Sequence, residues 1–135
     1  MIRPQKEFST LPVKGEQFLF EDTEDEYHVT FRITDFCNYK CEYCHWRFGD
    51  HYDYRDIIKT ITLMDSIITN KHIRYYFHGG EPSLHPRVLD IIDFILESDR
   101  NIVEFQTNMS KPLQYWEDMF ARYENKRFEF NVSYH

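Results

Sequence analysis

Strand-like and helical segments alternate along this chain, and that alternation narrows the folds open to it more than any other feature. Residues 27–34 place Val29, Phe31 and Ile33 at every second position, as a strand with one buried face requires. Residues 53–69 then carry Ile57, Ile58, Ile61, Met64, Ile67 and Ile68 at helical spacing. The same reading predicts a strand at 73–78, a helix at 86–98, a strand at 101–107, a helix at 112–123 with Pro112 in its first turn, and a strand at 127–134. A strand at 18–20 is expected to form a hairpin with the first of these through the acidic segment 21–26, read as a solvated turn. Residues 1–16, polar and holding two prolines and a glycine, read as an arm. The expected division is an arm and hairpin strand over 1–26 and one α/β unit over 27–135.

Strands joined through helices pair in parallel with right-handed crossovers. Such sheets take their ligands at the carboxyl ends of the strands. Every segment with chemical character falls at such an end. Three cysteines follow the first strand, Gly79-Gly80-Glu81-Pro82 follows the second, Thr107-Asn108 ends the third, and Ser133-Tyr134-His135 ends the fourth.

Composition excludes several alternatives. A formal charge of -7 argues against general binding of nucleic acid or an anionic membrane surface. No apolar run approaches the roughly 20 residues of a membrane span, and Met1-Ile2-Arg3-Pro4-Gln5-Lys6 is not followed by the apolar core of a secretory signal. The cysteines are odd in number and confined to one loop, which does not suit a disulfide framework. Thiols kept for a metal in a reducing cytoplasm are the expectation.

Those thiols, Cys37, Cys41 and Cys44, are spaced C-x-x-x-C-x-x-C. Three thiolates in a tight loop can hold three corners of a 4Fe-4S cube and leave one iron without a cysteine ligand. A zinc site of the three cysteines with His45 is the alternative, although neighbours at 44 and 45 fit a tetrahedron awkwardly. Three thiols with no metal is a further one, set against the polar Asn, Lys and Glu of the loop.

With Tyr43 before the last cysteine, the loop resembles the signature of the radical S-adenosylmethionine (SAM) superfamily, and Gly79-Gly80-Glu81-Pro82 resembles that family's second motif. The resemblance covers about residues 27–135. It implies a partial (β/α) barrel, a 4Fe-4S cluster on Cys37, Cys41 and Cys44, and SAM chelated to the open iron through its amino and carboxylate groups. It also implies an electron donor such as flavodoxin or ferredoxin, and a 5′-deoxyadenosyl radical that takes hydrogen from a peptide or small-molecule substrate. On this reading Gly79 and Gly80 offer backbone to the methionyl ammonium, Glu81 bonds the same cation beside Pro82, and Tyr43 packs near adenine. Ser133 and, more weakly, Asn108 hold ribose or carboxylate, or cap their strands. His78, His85 and His135 read as structural, and Trp46 and Phe48 as a screen over the cluster. No residue is assigned a catalytic role of its own.

The family's core has six strands, and the chain supplies four, without the adenine-contacting glycine motif of the fifth. The expectation is an incomplete barrel: the N-terminal part of a longer protein, a split protein completed by a partner chain, or a truncated reading frame. Two other functions stay open, a non-catalytic zinc or iron-sulfur module and an inactive truncated fragment.

Overall fold

The computed structural model describes the backbone of residues 18–22 and residues 25–44 and 49–133 in full. The arm, His45, Trp46, Phe48 and His135 lie outside the described residues. The elements follow in the order β1 (Phe18–Asp22), β2 (Glu26–Arg32), α1 (Tyr54–Ile67), β3 (His72–His78), α2 (Val88–Leu96), β4 (Asn101–Thr107), α3 (Leu113–Tyr123) and β5 (Phe128–Val132). A short 3-10 helix, Pro82–Leu84, stands between β3 and α2. One sheet is formed in the order β1-β2-β3-β4-β5. β1 is antiparallel to β2, and β2 to β5 run parallel. The parallel order is the one the alternation predicts; the sheet does not close, and with three helices it is consistent with the partial β/α barrel that the resemblance implies.

Register in the sheet is fixed by a row of phenylalanines. Phe31, Phe77, Phe105 and Phe130 are successive ladder partners across the four parallel strands. Their ring centroids stand 6.0, 5.9 and 5.8 Å apart. A slip of one residue would turn every ring to the opposite face. The row is sealed by the helices: Ile57, Ile61 and Met64 of α1, Ile91, Ile92 and Ile95 of α2, and Trp116, Met119 and Tyr123 of α3 join it in one core. Each buried ring or branched chain contributes roughly 1.5–3 kcal/mol.

Helix boundaries depart from the periodicity in ways local chemistry explains. Asp53 is the N-cap of α1, its side chain accepting from the Arg55 N–H. The predicted helix at 86–98 begins only at Val88, because the tighter helix Pro82–Leu84 and its extended cap His85 come first. Pro112 is the N-cap of α3, one position before the first turn. Of the two isoleucines that close the predicted stripe, Ile67 is 49% exposed and Ile68, the C-cap of α1, is buried.

The opposite face of the sheet is polar. Arg74 lies along it and forms a bidentate pair with Glu26, at 2.9 and 3.2 Å, and single contacts with Glu104 at 3.3 Å and Glu129 at 2.6 Å. Asn131 donates to the other oxygen of Glu104 at 2.5 Å. The acidic segment is therefore not simply a solvated turn: residues 21 and 22 pair in β1, and Glu26 opens β2 as the main partner of Arg74. Among the described residues no helix is long and apolar enough to cross a membrane.

The Arg74 guanidinium holds the Glu26 carboxyl below its ordinary value of 4.5, against the opposing effect of burial. A depressed folded-state value means stabilisation that is present above 4.5 and lost as pH falls through the lowered value. The Glu26→Gln variant should therefore unfold at a lower temperature than the parent at pH 7, with the gap closing in acid; thermal melts across pH 3 to 7 read this directly.

Candidate functional site

All four parallel strands deliver their carboxyl ends to one mouth. The segment after β2, residues 33–36, is held from both sides. On one side the chain returns along it: Tyr52 donates from its backbone to Ile33 O, and Asp35 to Asp50 O, at 3.1 and 3.0 Å. Thr34 and His51 form an antiparallel bridge, and the Thr34 hydroxyl meets His51 Nδ1 at 2.7 Å. On the other side Gly80 N–H donates to Thr34 O at 3.0 Å and Glu81 N–H to Phe36 O at 2.9 Å. The cysteine loop grows out of this clamped root.

The two glycines are what let the strands meet here. A Cβ on Gly80 would lie 2.1 Å from Phe36 O, and Gly79 has φ of 119° with the Arg32 side chain 2.2 Å from where its Cβ would be. Only glycine takes that conformation at no steric cost. The close approach the sequence suggested is thus made first to the chain's own backbone.

Glu81 is buried, at 2% exposure, and its carboxylate is the hub of the site. Oε1 accepts from the Ser83 hydroxyl at 2.6 Å, the Ser83 N–H at 3.2 Å and the Thr107 hydroxyl at 2.5 Å. Oε2 accepts from the Asn108 N–H at 2.7 Å. A buried carboxylate needs such donors in place of water, and here they tie the end of β3 to the end of β4. The sequence reading gave Glu81 a ligand's cation; the fold gives it two strand ends to hold. Pro82, buried behind it, starts the 3-10 helix.

Above this floor is a cavity of about 490 Å³. Cys37, Cys41, Cys44, Tyr43, Gly79, Gly80, Glu81, Asn108 and Ser133 all line it; of the residues given a cluster- or SAM-binding role from sequence, Pro82 does not. Tyr43 is 64% exposed, so its ring does not cover the core. Ser133 is placed by its backbone N–H on Thr107 O, at 2.8 Å, and its hydroxyl accepts from Gln106 Nε2 at 2.8 Å. Gln106 in turn accepts from the Tyr76 hydroxyl.

Gln106 and Tyr39 belong to the cavity wall and were not singled out. For Gln106 the signal existed, a polar side chain between Phe105 and Thr107 on the face opposite the core. His78 also lines the wall, and burial, with Arg32 beside it, lowers its pKa and favours the neutral imidazole. His85 is structural: Nε2 meets Tyr52 O at 3.0 Å and Nδ1 accepts from the Arg87 N–H at 3.1 Å.

The cysteines are free thiols. Burial raises the pKa of Cys37, the Tyr39 N–H on its sulfur opposes this at 3.4 Å, and Glu81, Cys41 and Cys44 raise it further by charge. Among the described residues no three His, Cys, Asp or Glu side chains are gathered tightly enough to hold one metal ion. A four-iron cube makes a different demand, since each thiolate binds a different iron and the sulfurs stand further apart than around a single ion. Three soft thiol donors lining one cavity are the kind of donor set a cube takes. The zinc alternative needs His45, outside the described residues.

A family model described as the Radical SAM superfamily matches residues 31–134. No curated protein and no solved structure gives a significant match.

Replacing Glu81 by Gln puts an amide donor against either the Asn108 N–H or the hydroxyl pair. The expected cost is about 1.5–3 kcal/mol, that of hydrogen bonds to a charged group, measured by urea unfolding of the protein without metal.

Proposed function

The chain belongs to the radical SAM superfamily, and on that premise we propose that it binds a 4Fe-4S cluster through Cys37, Cys41 and Cys44 and cleaves SAM reductively in the cavity beside them. The observation that carries this reading is the sharing of one 490 Å³ cavity by the three thiols and the Gly79–Glu81 turn. The chemistry such a cluster supplies is one electron to the SAM sulfonium, giving methionine and a 5′-deoxyadenosyl radical that takes hydrogen from a substrate.

The chain's own residues do the holding. Partial burial favours the thiol form of Cys37, which gives up its proton on ligation, as thiolate is the binding form. Gly79 and Gly80, without side chains, leave backbone carbonyls for the ammonium of the methionine half of SAM. Glu81 Oε2 accepts one hydrogen bond from the protein and adds negative charge near that cation. Ser133, its oxygen engaged by Gln106, has a hydroxyl proton to donate to a ribose or carboxylate oxygen. Tyr43 offers an exposed ring to adenine. Asn108 and Pro82 keep the floor of the cavity in place. The substrate is a peptide side chain or a small metabolite, the electron comes from a flavodoxin or ferredoxin, and the free thiols suit a reducing cytoplasm.

Anaerobic reconstitution with iron and sulfide should load about one 4Fe-4S cluster per chain by metal and sulfide analysis. Reduction with SAM present should release 5′-deoxyadenosine. Cys37→Ala, Cys41→Ala and Cys44→Ala should each bring that product to reagent background. One zinc per chain with no iron or sulfide would replace this reading with a structural metal module.

A further inference from the structure

Asn108 stands where β4 meets the cysteine loop, and its side chain is fixed in orientation. Its backbone N–H is held by Glu81 Oε2 at 2.7 Å, and its Oδ1 accepts from the Ser110 N–H at 3.1 Å. With Oδ1 used in that way, Nδ2 must face the loop. There it donates to Asn38 Oδ1 at 3.1 Å and lies 3.9 Å from Cys37 Sγ. The next residue, Met109, has φ of 55°, so the chain turns sharply just after Asn108. The amide is thereby a donor turned toward sulfur by two strand-end contacts and one to the loop, unlike a surface side chain free to turn away.

Resting on the reading of Cys37 as a cluster ligand, we propose that Asn108 tunes the reduction potential of the cluster through an N–H···S hydrogen bond to Cys37. At 3.9 Å the contact is long for a neutral thiol, and a thiolate strengthens it by adding charge to the acceptor. Reduction adds negative charge to the cluster and its sulfurs. A donor there stabilises the reduced form more than the oxidised one and raises the potential. The Tyr39 N–H, 3.4 Å from the same sulfur, acts in the same sense and is untouched by substitution at 108.

The test is an EPR-monitored redox titration of the anaerobically reconstituted protein without SAM, with iron and sulfide measured on each sample. Asn108→Ala should carry as much iron as the parent and titrate at a lower potential. Asn108→Asp, which trades the donor for a negative charge, should titrate lower still. Asn38→Ala removes the other partner of the amide and keeps the N–H···S contact, so its potential should stay at or above the parent value. Equal potentials in parent and Asn108→Ala at equal iron content overturn the proposal and leave the cluster reading intact. So does an equal fall in Asn38→Ala and Asn108→Ala, which would make the amide a latch for the loop. A parent protein that takes up no iron overturns both.

Discussion

One buried carboxylate governs the geometry of this site. Glu81 draws the donors of Ser83, Thr107 and Asn108 to a single point, and its own N–H reaches back to Phe36 at the root of the cysteine loop. Three strand ends are thereby held together by contacts to one residue. Sheet pairing alone aligns strands along their length and does little to set the loops beyond them. A charged acceptor of low exposure does so because every donor it loses leaves a desolvated charge unanswered. The cavity wall inherits its shape from that constraint.

Below the hub the two faces of the sheet have different work. The phenylalanine row and the helices supply burial, and the register they impose carries Gly79, Thr107 and Ser133 to the same height two or three residues further on. The opposite face places Arg74 among three carboxylates. One cation answers several anions there, which leaves the lower part of that face ordered by its own ion pairs. The upper part, with Tyr76, Gln106 and Ser133 joined in sequence by hydrogen bonds, opens on the cavity.

Much of this was legible in the chain. The strand at 101–107 was read to the residue, since alternation and flanking turns agreed there, and parallel order followed from the helices between strands. The cysteines, the Gly-Gly turn and Ser133 were placed at one mouth by topology alone. Three things depended on partners distant in sequence. The space beside Gly80 is taken by the Phe36 carbonyl, which local pattern does not show. Glu81 looked like a ligand's partner because its four donors come from residues up to 27 positions away. Glu26 looked like part of a charged turn because Arg74, 48 residues on, is its neighbour only through register.

The clamped root of the cysteine loop has a consequence for how metal and folding are linked. Small metal domains often leave loop closure to the ion, so that binding and folding are one event. Here the two ends of the loop are already joined by Asp35 N–H on Asp50 O and Gly49 N–H on Asp35 O, at 3.0 and 3.3 Å. On the proposed reading the loop is therefore closed before any cluster binds, and the thiols are presented to it at high effective concentration. Because closure entropy grows only with the logarithm of length, about 0.6 kcal/mol per doubling, the number of residues these bonds enclose matters little to the cost of closing the loop.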